Sequence, residues 1–335
     1  MSSSESKREK KHLISGSFVG LSLLMFLSLT GFKLVYGADY PTKPIQIICP
    51  YQPGGSTDVT SRFLTKGLLS VLGQPVVIET KPGAGTAIGI VSVLASPPDG
   101  YTVLCAEQSL LTLPLTLKDA KFGLSDFTPI NVASSATMAV IVKKDAPWKT
   151  LVDLVAEAKK NPGKLTYSSA GPGSTARFTG ELFQTITGTT LTQIPMNGAA
   201  PAIAAVLGGH VDMSFMGSQV IKSHVQAGSL RVLAMLKPKR IKEFSDIPTA
   251  AEMGYPKLTN TLWIAYFVPA KTPKTVVKKL GDSFHEVLKG REVIEMVENS
   301  GLMVENLNQE DAAKFLGEEQ KKWLEVAKTM NIAPK

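Results

Sequence analysis

Two glycine-rich segments have the composition of anion-binding loops. Residues 51–58 read YQPGGSTD and residues 168–175 read SSAGPGST, and each stands between a strand-like stretch and a helix-like one. Glycine lets the backbone approach a ligand with no Cβ in the way. The N-terminus of the following helix offers unpaired N–H groups and the positive end of the helix dipole, which bind carboxylates and phosphates. We expect both segments to lie at the surface of a cleft; the alternative is a tight turn with a helix cap and no ligand.

The first segment carries one residue that does not suit an anion site. Ser56 and Thr57 can add hydroxyl donors, but the carboxylate of Asp58 would repel a negative ligand. We therefore interpret Asp58 as a capping acceptor for the helix or as a partner for Arg62, four residues later on the same helical face. The residues predicted to line the ligand site here are Tyr51, Gly54, Gly55, Ser56, Thr57 and Asp58.

The second segment matches a dinucleotide-binding fingerprint only in part. Gly171, Gly173 and Ala176 fit the spacing GxGxxA. The fingerprint also needs an acidic residue about 20 positions on, at the end of the next strand. That strand, LTQIPM, has none, so NAD is rejected and no cofactor is predicted. The residues predicted to contact an anion here are Ser169, Ala170, Gly171, Gly173, Ser174 and Thr175.

Isolated residues at the ends of other strands complete the candidate set. Gln108 and Ser109 end the third strand, and Thr86 follows PGAG, where it either lines the edge of the cleft or only starts a helix. Asn197 lies in the turn PMNGAAPA and is a candidate donor for the far end of the ligand, the alternative being an ordinary turn. Met216 ends the strand-like stretch HVDMSFM.

Composition and motifs argue against several classes of function. The sequence contains no GxSxG, HExxH or CxxC motif, so neither a nucleophile–base pair nor a zinc site can be assigned, and we predict that the protein is not an enzyme. After residue 37 the chain has 31 Lys and Arg against 26 Asp and Glu, and this net charge of +5 is scattered rather than arranged in a basic stripe with aromatics, which disfavours nucleic acid as a partner. Cys49 and Cys105 both lie in apolar strand-like runs; two buried thiols are the favoured interpretation, and one bridge is geometrically possible if the strands are adjacent.

The N-terminus has the layout of a secretory signal peptide. Four Lys and Arg residues precede an uncharged, largely apolar stretch over residues 13–30, and a small-residue cleavage site follows. Cleavage before Ala38 is the first choice and before Asp39 the second; the alternative is a retained transmembrane anchor. We therefore predict a signal peptide over residues 1–37 and export to the periplasm.

The rest of the chain alternates apolar strand-like runs with helical patterns, which predicts parallel sheet covered on both faces. Two such α/β sets are separated by long apolar stretches at residues 127–145 and 261–270, the first of which is too long for one strand and reads as two strands or a crossover. Two final helices are expected, at residues 274–289 and 309–329. The predicted organisation is two doubly wound lobes joined by two crossover strands, with a ligand cleft between them at the carboxyl ends of the strands. The predicted boundaries are 38–132 for the first part of lobe 1, 133–264 for lobe 2 and 265–335 for the C-terminal part of lobe 1.

A set of longer motifs gives a resemblance to a known family. In order they are YPTKPIQIICPYQPGGSTDVTSR, QPVVIETKPGAGTAIG, SPPDGYTVL, NPGKLTYSSAGPGS, GAAPAIAAVLGGHVDMSF, AGSLRVLA and FVPAKTPK. From residue 40 to about residue 332 the chain resembles the TctC/Bug family of periplasmic receptors for tripartite tricarboxylate transporters. The resemblance implies a type II periplasmic-binding-protein fold and a carboxylate held in the interlobe cleft by backbone amides of both lobes and by ordered water. It also implies membrane permease subunits as partners.

Three positions depart from the pattern of this family. Met196 and Asn197 stand where many relatives have Tyr and Lys, and Met216 stands where many have an aspartate. A second buried charge near these residues would lack a partner, which predicts a ligand with an apolar or neutral polar tail rather than citrate or aspartate. Relatives also usually have a histidine at or beside Arg177, which leaves side-chain contacts there open.

Three functions are compatible with these features. The favoured one is a monomeric periplasmic solute receptor that binds a small organic carboxylate and delivers it to the transporter. A periplasmic sensor that reports ligand to a membrane signalling partner would share the same binding chemistry. An enzyme on the same scaffold would need a perturbed acid or base in the cleft, for which Asp58 and Glu107 are the nearest candidates.

Overall fold

Ten strands form a curled mixed sheet in the computed structural model, which describes residues 40–332. The predicted signal peptide at residues 1–37 lies outside the described residues. The strands are β1 Ile45–Cys49, β2 Val76–Thr80, β3 Thr102–Ala106, β4 Phe127–Lys143, β5 Thr166–Ser169, β6 Thr192–Pro195, β7 Met213–Gly217, β8 Leu230–Met235, β9 Thr261–Pro269 and β10 Met303–Leu307.

Ten α-helices cover the faces of this sheet in the described part of the chain. They are α1 Ser56–Leu72, α2 Ala87–Leu94, α3 Ser109–Thr112, α4 Leu151–Lys160, α5 Thr175–Thr187, α6 Ala199–Leu207, α7 Ser218–Gln226, α8 Lys274–Val287, α9 Arg291–Asn299 and α10 Gln309–Thr329. None of the helices over residues 40–332 is both long and apolar enough to span a membrane.

The sheet consists of two halves. In the first half-sheet β1 pairs in parallel with β2 and β3, and β9 runs antiparallel between β3 and the first part of β4. In the second half-sheet β5 pairs in parallel with β6 and β7, while the last part of β4 runs antiparallel to β7 and β8. In both sets the parallel strands lead into helices, and the loops at the carboxyl ends of such strands are where sheets of this kind bind ligands.

β4 runs through both half-sheets. It is a single strand of 17 residues, so the prediction that this stretch is too long for one strand was wrong, whereas its crossover role is confirmed. Its partner is β9 as far as Thr137 and β7 from Met138 onward. Two shifts of register against β9 take up the twist of so long a strand. The lobe boundaries at 132/133 and 264/265 stay predictions.

The C-terminal region contains two elements that the sequence patterns did not predict. α9 follows α8 after a short break, and β10 adds to β4 as an antiparallel strand. β10 reads MVENL, and its polar residues have polar partners: Glu305 accepts a hydrogen bond from Ser135 on β4, and Asn131 of β4 donates to the carbonyl of Leu307 at 2.6 Å. Because the polar side chains of this strand have hydrogen-bond partners, the strand does not need the run of apolar residues by which strands are recognised in a sequence.

Candidate functional site

The loops after β1, β2 and β3 meet through side-chain hydrogen bonds. The hydroxyl of Tyr51 lies 2.6 Å from Ser109 Oγ, and Thr86 Oγ1 donates to the same oxygen at 3.1 Å. Ser56 Oγ donates to Glu107 Oε1 at 3.0 Å. Four residues predicted from separate motifs, Tyr51, Ser56, Thr86 and Ser109, are therefore close to one another at the carboxyl edge of the first half-sheet.

The N-terminus of α1 presents unpaired backbone donors. Its N-cap residue, Gly55, is extended at φ −73° and makes no side-chain cap, and the first N–H with a helical acceptor is that of Val59, 2.9 Å from the carbonyl of Gly55. Within residues 40–332 the N–H groups of Ser56, Thr57 and Asp58 have no backbone acceptor. Three donors at the positive end of a helix of 17 residues form a binding surface for an anion.

Of the two roles considered for Asp58, the pairing with Arg62 is confirmed, whereas its other contact is with an amide of the loop before the helix and does not cap the helix. Its Oδ2 accepts from the N–H of Gly54 at 2.9 Å, and its Oδ1 lies 2.9 Å from the guanidinium of Arg62. Burial raises the pKa of Asp58, but the hydrogen bonds from Arg62 and from the Gly54 amide outweigh burial and hold the pKa below its ordinary value. Its negative charge is thus neutralised locally, and only its N–H is left for a ligand.

The segment before α5 is capped by its own side chain. Ser174 is the N-cap residue: its Oγ accepts from the N–H of Arg177 at 3.3 Å and donates to the carbonyl of Gly171 at 2.8 Å. Gly171 has a φ of +125°, which an L-residue rarely adopts. The guanidinium of Arg177 donates to the carbonyl of Pro172 at 2.9 Å, so this side chain supports the loop. For Thr175 the described chain supplies no backbone acceptor.

The two half-sheets touch at Gly173. Thr112 Oγ1 donates to the carbonyl of Gly173 at 2.7 Å, and a Cβ at position 173 would lie 2.8 Å from Leu113 Cδ1. Gly173 is buried by this contact, and its contact with a ligand stays a prediction. Thr112 and Leu113 were not predicted as site residues, and the only sequence signal for them is that they follow Ser109 within one helical turn.

The remaining candidates of the second half-sheet differ in exposure. Ser169 accepts from Gln193 Nε2 at 2.7 Å through its hydroxyl and from the N–H of Met196 at 2.9 Å through its carbonyl, which places the loop after β5 beside the loop after β6. Ala170 is half-buried and Asn197 is exposed. Met216 is buried in an apolar cluster of the second half-sheet. Contact of these residues with a ligand stays a prediction.

Two neighbouring polar residues at the end of β3 are buried beside these loops. Gln108 is fully buried, and in the described structure neither its Nε2 nor its Oε1 has a hydrogen-bond partner. Glu107 is 9% exposed. Burial raises the pKa of Glu107 to about 7, and the hydrogen bond from Ser56 offsets part of the rise. Sequence reasoning considered Glu107 only as a catalytic candidate and did not place it in the binding site.

The cysteines lie directly behind the first loop. Both are buried and free, and the Sγ atoms of Cys49 and Cys105 each lie 3.8 Å from the carbonyl oxygen of Thr57. Among the described residues no group of three or more His, Cys, Asp or Glu side chains is arranged to hold a metal ion. The candidate site therefore consists of backbone donors, hydroxyls, the amide side chains of Gln108 and Asn197, and the carboxyl groups of Asp58 and Glu107.

Comparison with protein families and sequences gives one consistent match. The model of the tripartite tricarboxylate transporter family receptor, TctC, matches residues 60–332. Protein BugT of Bordetella pertussis is 32% identical over 308 residues, which cover 91% of this chain and 94% of that protein.

Solved structures give the same fold. A structure described as a periplasmic transporter has a TM-score of 0.79 and 35% identity, and covers 88% of this chain and 99% of its own. R. palustris Rpa4515 with adipate has a TM-score of 0.81 and 29% identity, and covers 89% of this chain and 100% of its own. The fold is therefore the predicted α/β type II periplasmic-binding-protein fold, in which two lobes enclose a cleft.

Proposed function

The chain belongs to the tripartite tricarboxylate transporter receptor family, and from this premise we propose that it is a periplasmic receptor for a small organic carboxylate. The ligand is bound in the interlobe cleft and is delivered to the membrane permease subunits of a tripartite transporter. The lobes run over residues 38–132 with 265–335 and over 133–264, and residues 1–37 direct the chain to the periplasm as a cleavable signal peptide.

One observation carries this proposal. The N-termini of α1 and α5 belong to different half-sheets, yet the segment 107–113 contacts both: Glu107 bonds Ser56 at 3.0 Å, and Thr112 bonds Gly173 at 2.7 Å. Two helix N-termini that converge from opposite walls supply donors to one carboxylate. The adipate carried by a structural neighbour at 29% identity supports a carboxylate as the ligand class.

The far end of the ligand is proposed to be apolar or neutral. Asn197 is exposed and Met196 is half-buried at the rim of the loop after β6. Neither residue can neutralise a second carboxylate, and leaving a buried charge unpaired costs several kcal/mol. We therefore place monocarboxylates and acids with a neutral tail ahead of citrate and aspartate.

The proposal is tested by thermal-shift and calorimetric titration of the chain from Ala38 with acetate, benzoate, adipate, aspartate and citrate. A carboxylate at 100 times its Kd raises the free energy of unfolding by about 2.7 kcal/mol, which shifts the melting temperature by several degrees. Chloride and sulfate salts at equal ionic strength are the controls for non-specific effects of anions. Failure of every acid to stabilise the protein would remove the receptor function, and consumption of any acid would replace it with an enzymatic one.

Delivery to a transporter needs a separate measurement. Deletion of the gene is expected to abolish cellular uptake of the acid that the purified protein binds, and expression of the wild-type chain restores uptake. If uptake is unchanged while a transcriptional response to the acid is lost, the receptor serves a sensor instead.

A further inference from the structure

A carboxyl group lies beside the surface that is proposed to bind a carboxylate. Glu107 follows β3, is 9% exposed, and receives a hydrogen bond from Ser56, the first residue of α1. The unpaired N–H groups of residues 56–58 begin at the same residue. An ionised Glu107 and an ionised ligand would therefore be two negative charges at one helix N-terminus.

No described cation is placed to neutralise Glu107. The titratable and charged side chains that the structure places on the elements around it are Tyr51, Asp58, Arg62, Cys49 and Cys105, together with Tyr266 on β9 opposite Cys105. Of these only Arg62 is positive, and its guanidinium is engaged by Asp58 at 2.9 Å. Across the cleft, Arg177 is directed to the carbonyl of Pro172 on its own loop. In residues 40–332 Glu107 forms no salt bridge.

Like charges at such close range disfavour joint ionisation, so one of two adjacent carboxyl groups keeps a proton. Burial already raises the pKa of Glu107 to about 7, which leaves the group divided between its two forms at neutral pH. A bound anion raises that pKa further. The neutral carboxyl group can then donate a hydrogen bond to the ligand oxygen, which an ionised one cannot do.

We propose that Glu107 is a specificity-determining residue that couples carboxylate binding to the uptake of one proton, so that the cleft binds its ligand more tightly in mildly acidic than in mildly alkaline solution. This inference rests on the proposed carboxylate-receptor function. It assigns to Glu107 the role of a hydrogen-bond donor and excludes a cationic ligand group from the position next to Ser56.

The test is calorimetric titration with the tightest-binding acid of the panel above, at pH 6, 7 and 8 and in two buffers of different ionisation enthalpy. For the wild-type chain we expect affinity to fall about tenfold from pH 6 to pH 8, the change for one required proton with a midpoint near 7. At pH 8 the difference in binding enthalpy between the two buffers should correspond to the uptake of nearly one proton per bound ligand.

Two variants separate this role from a structural one. Glu107→Gln, which has a permanent donor in place of the acid, should bind with little dependence on pH and with no proton uptake. Glu181→Gln is the matched control, because burial raises the pKa of Glu181 too but this residue lies on α5 against Tyr167 and Arg177. It should behave as wild type does. The ligand's own titration contributes equally to the pH dependence of both proteins, so the difference in pH dependence between Glu107→Gln and wild type reports on Glu107 alone.

The outcomes are distinguishable. Wild-type binding that is independent of pH and releases or absorbs no proton overturns the role of Glu107 and leaves the receptor function intact. Affinity that increases with pH overturns it as well and indicates a ligand cation beside an ionised Glu107. If no acid of the panel binds at any pH, the receptor function fails and the inference fails with it. The two-buffer proton count on the wild-type chain decides the matter even if the Glu107→Gln variant does not fold.

Discussion

The two glycine-rich loops look alike in sequence but differ in structure. The loop before α1 has an extended Gly55 with no side-chain cap, and the N–H groups that follow are unpaired within the described chain. The loop before α5 is closed by the Ser174 hydroxyl, which bonds both Gly171 and Arg177, and its Gly173 is pressed against Leu113. The first loop is therefore an open donor surface, whereas the second combines its remaining unpaired donor, the N–H of Thr175, with a contact between the two half-sheets.

This difference shows that a glycine can be required for opposite reasons. At the first loop the missing side chain leaves space for a ligand at the backbone. At Gly173 the missing side chain lets the other half of the protein approach, because a Cβ there would lie 2.8 Å from Leu113 Cδ1. Substitutions of the two glycines should therefore affect ligand binding by different routes, and a second substitution should rescue only one of them.

The largest effect is expected for Gly173→Val. The new side chain collides with Leu113, and overpacking of this kind costs about 1–3 kcal/mol. We call the arrangement in which the two half-sheets touch at Gly173 the closed form. We expect the cost to fall on this form, so carboxylate affinity measured by calorimetry should decrease roughly 100-fold at the upper end of that range. The double variant Gly173→Val with Leu113→Ala removes the collision and should recover most of the loss.

Gly317→Val is the control for the effect of a glycine-to-valine change by itself, since a Cβ at Gly317 has no atom within 4 Å. It lies on α10 and should leave affinity unchanged. If Leu113→Ala fails to rescue Gly173→Val, the loss of affinity arises at the donors of the second loop and not from the collision with Leu113.

A smaller effect is expected for Gly55→Val. The backbone at Gly55 is in an extended conformation that valine adopts, and its Cβ would meet only the carbonyl of Gln52, at 3.3 Å. The chain should fold, but a side chain now stands beside the unpaired amides. Because the amides themselves remain in the variant, we expect a loss near the lower end of the about 1.5–3 kcal/mol of one charge-assisted hydrogen bond, so affinity should fall roughly tenfold. Leu113→Ala should not restore it; rescue by that change would show that Gly55 also acts through closure.

The smallest effect is expected for Thr112→Val, which removes the hydrogen bond to the carbonyl of Gly173. A neutral hydrogen bond contributes about 0.5–1.5 kcal/mol, so affinity should decrease roughly threefold to tenfold. Thr116→Val is the matched control, because the hydroxyl of Thr116 bonds the carbonyl of Leu113 within its own turn. Equal losses in the two variants would mean that the bond from Thr112 does not stabilise the closed form.

Local patterns in the sequence were sufficient to find the loops and most strands, because glycine, capping residues and apolar runs act within a few positions of one another. They were less informative about which face of a helix is buried. In the helix after the first loop the apolar Val59 is only half-buried, while the polar residues Thr60 and Ser61 are fully buried. Ser61 is satisfied by the hydroxyl of Tyr266 at 3.0 Å, a partner that belongs to β9 and that no local pattern indicates.

The candidate site residues that sequence reasoning missed depend on distant contacts. Thr112 meets Gly173 across the cleft, and Glu107 acquires its significance only from its burial beside Ser56. Residue types and spacing predict where hydrogen-bond donors can occur. The protonation state of a neighbouring carboxyl group, in contrast, depends on how both half-sheets pack around it.

The course of β4 has a consequence for how the chain folds. Its first part is paired with β9 and β10, which the chain supplies only after the whole second half-sheet. β3 has the same requirement, since β9 is its neighbour as well. The first half-sheet therefore cannot be completed until residues 261–307 are present, and long-range pairings of this kind form slowly. A chain that is still emerging has a complete set of partners for β5–β8 long before it has one for β3, so the second lobe is able to fold first although it begins later in the sequence.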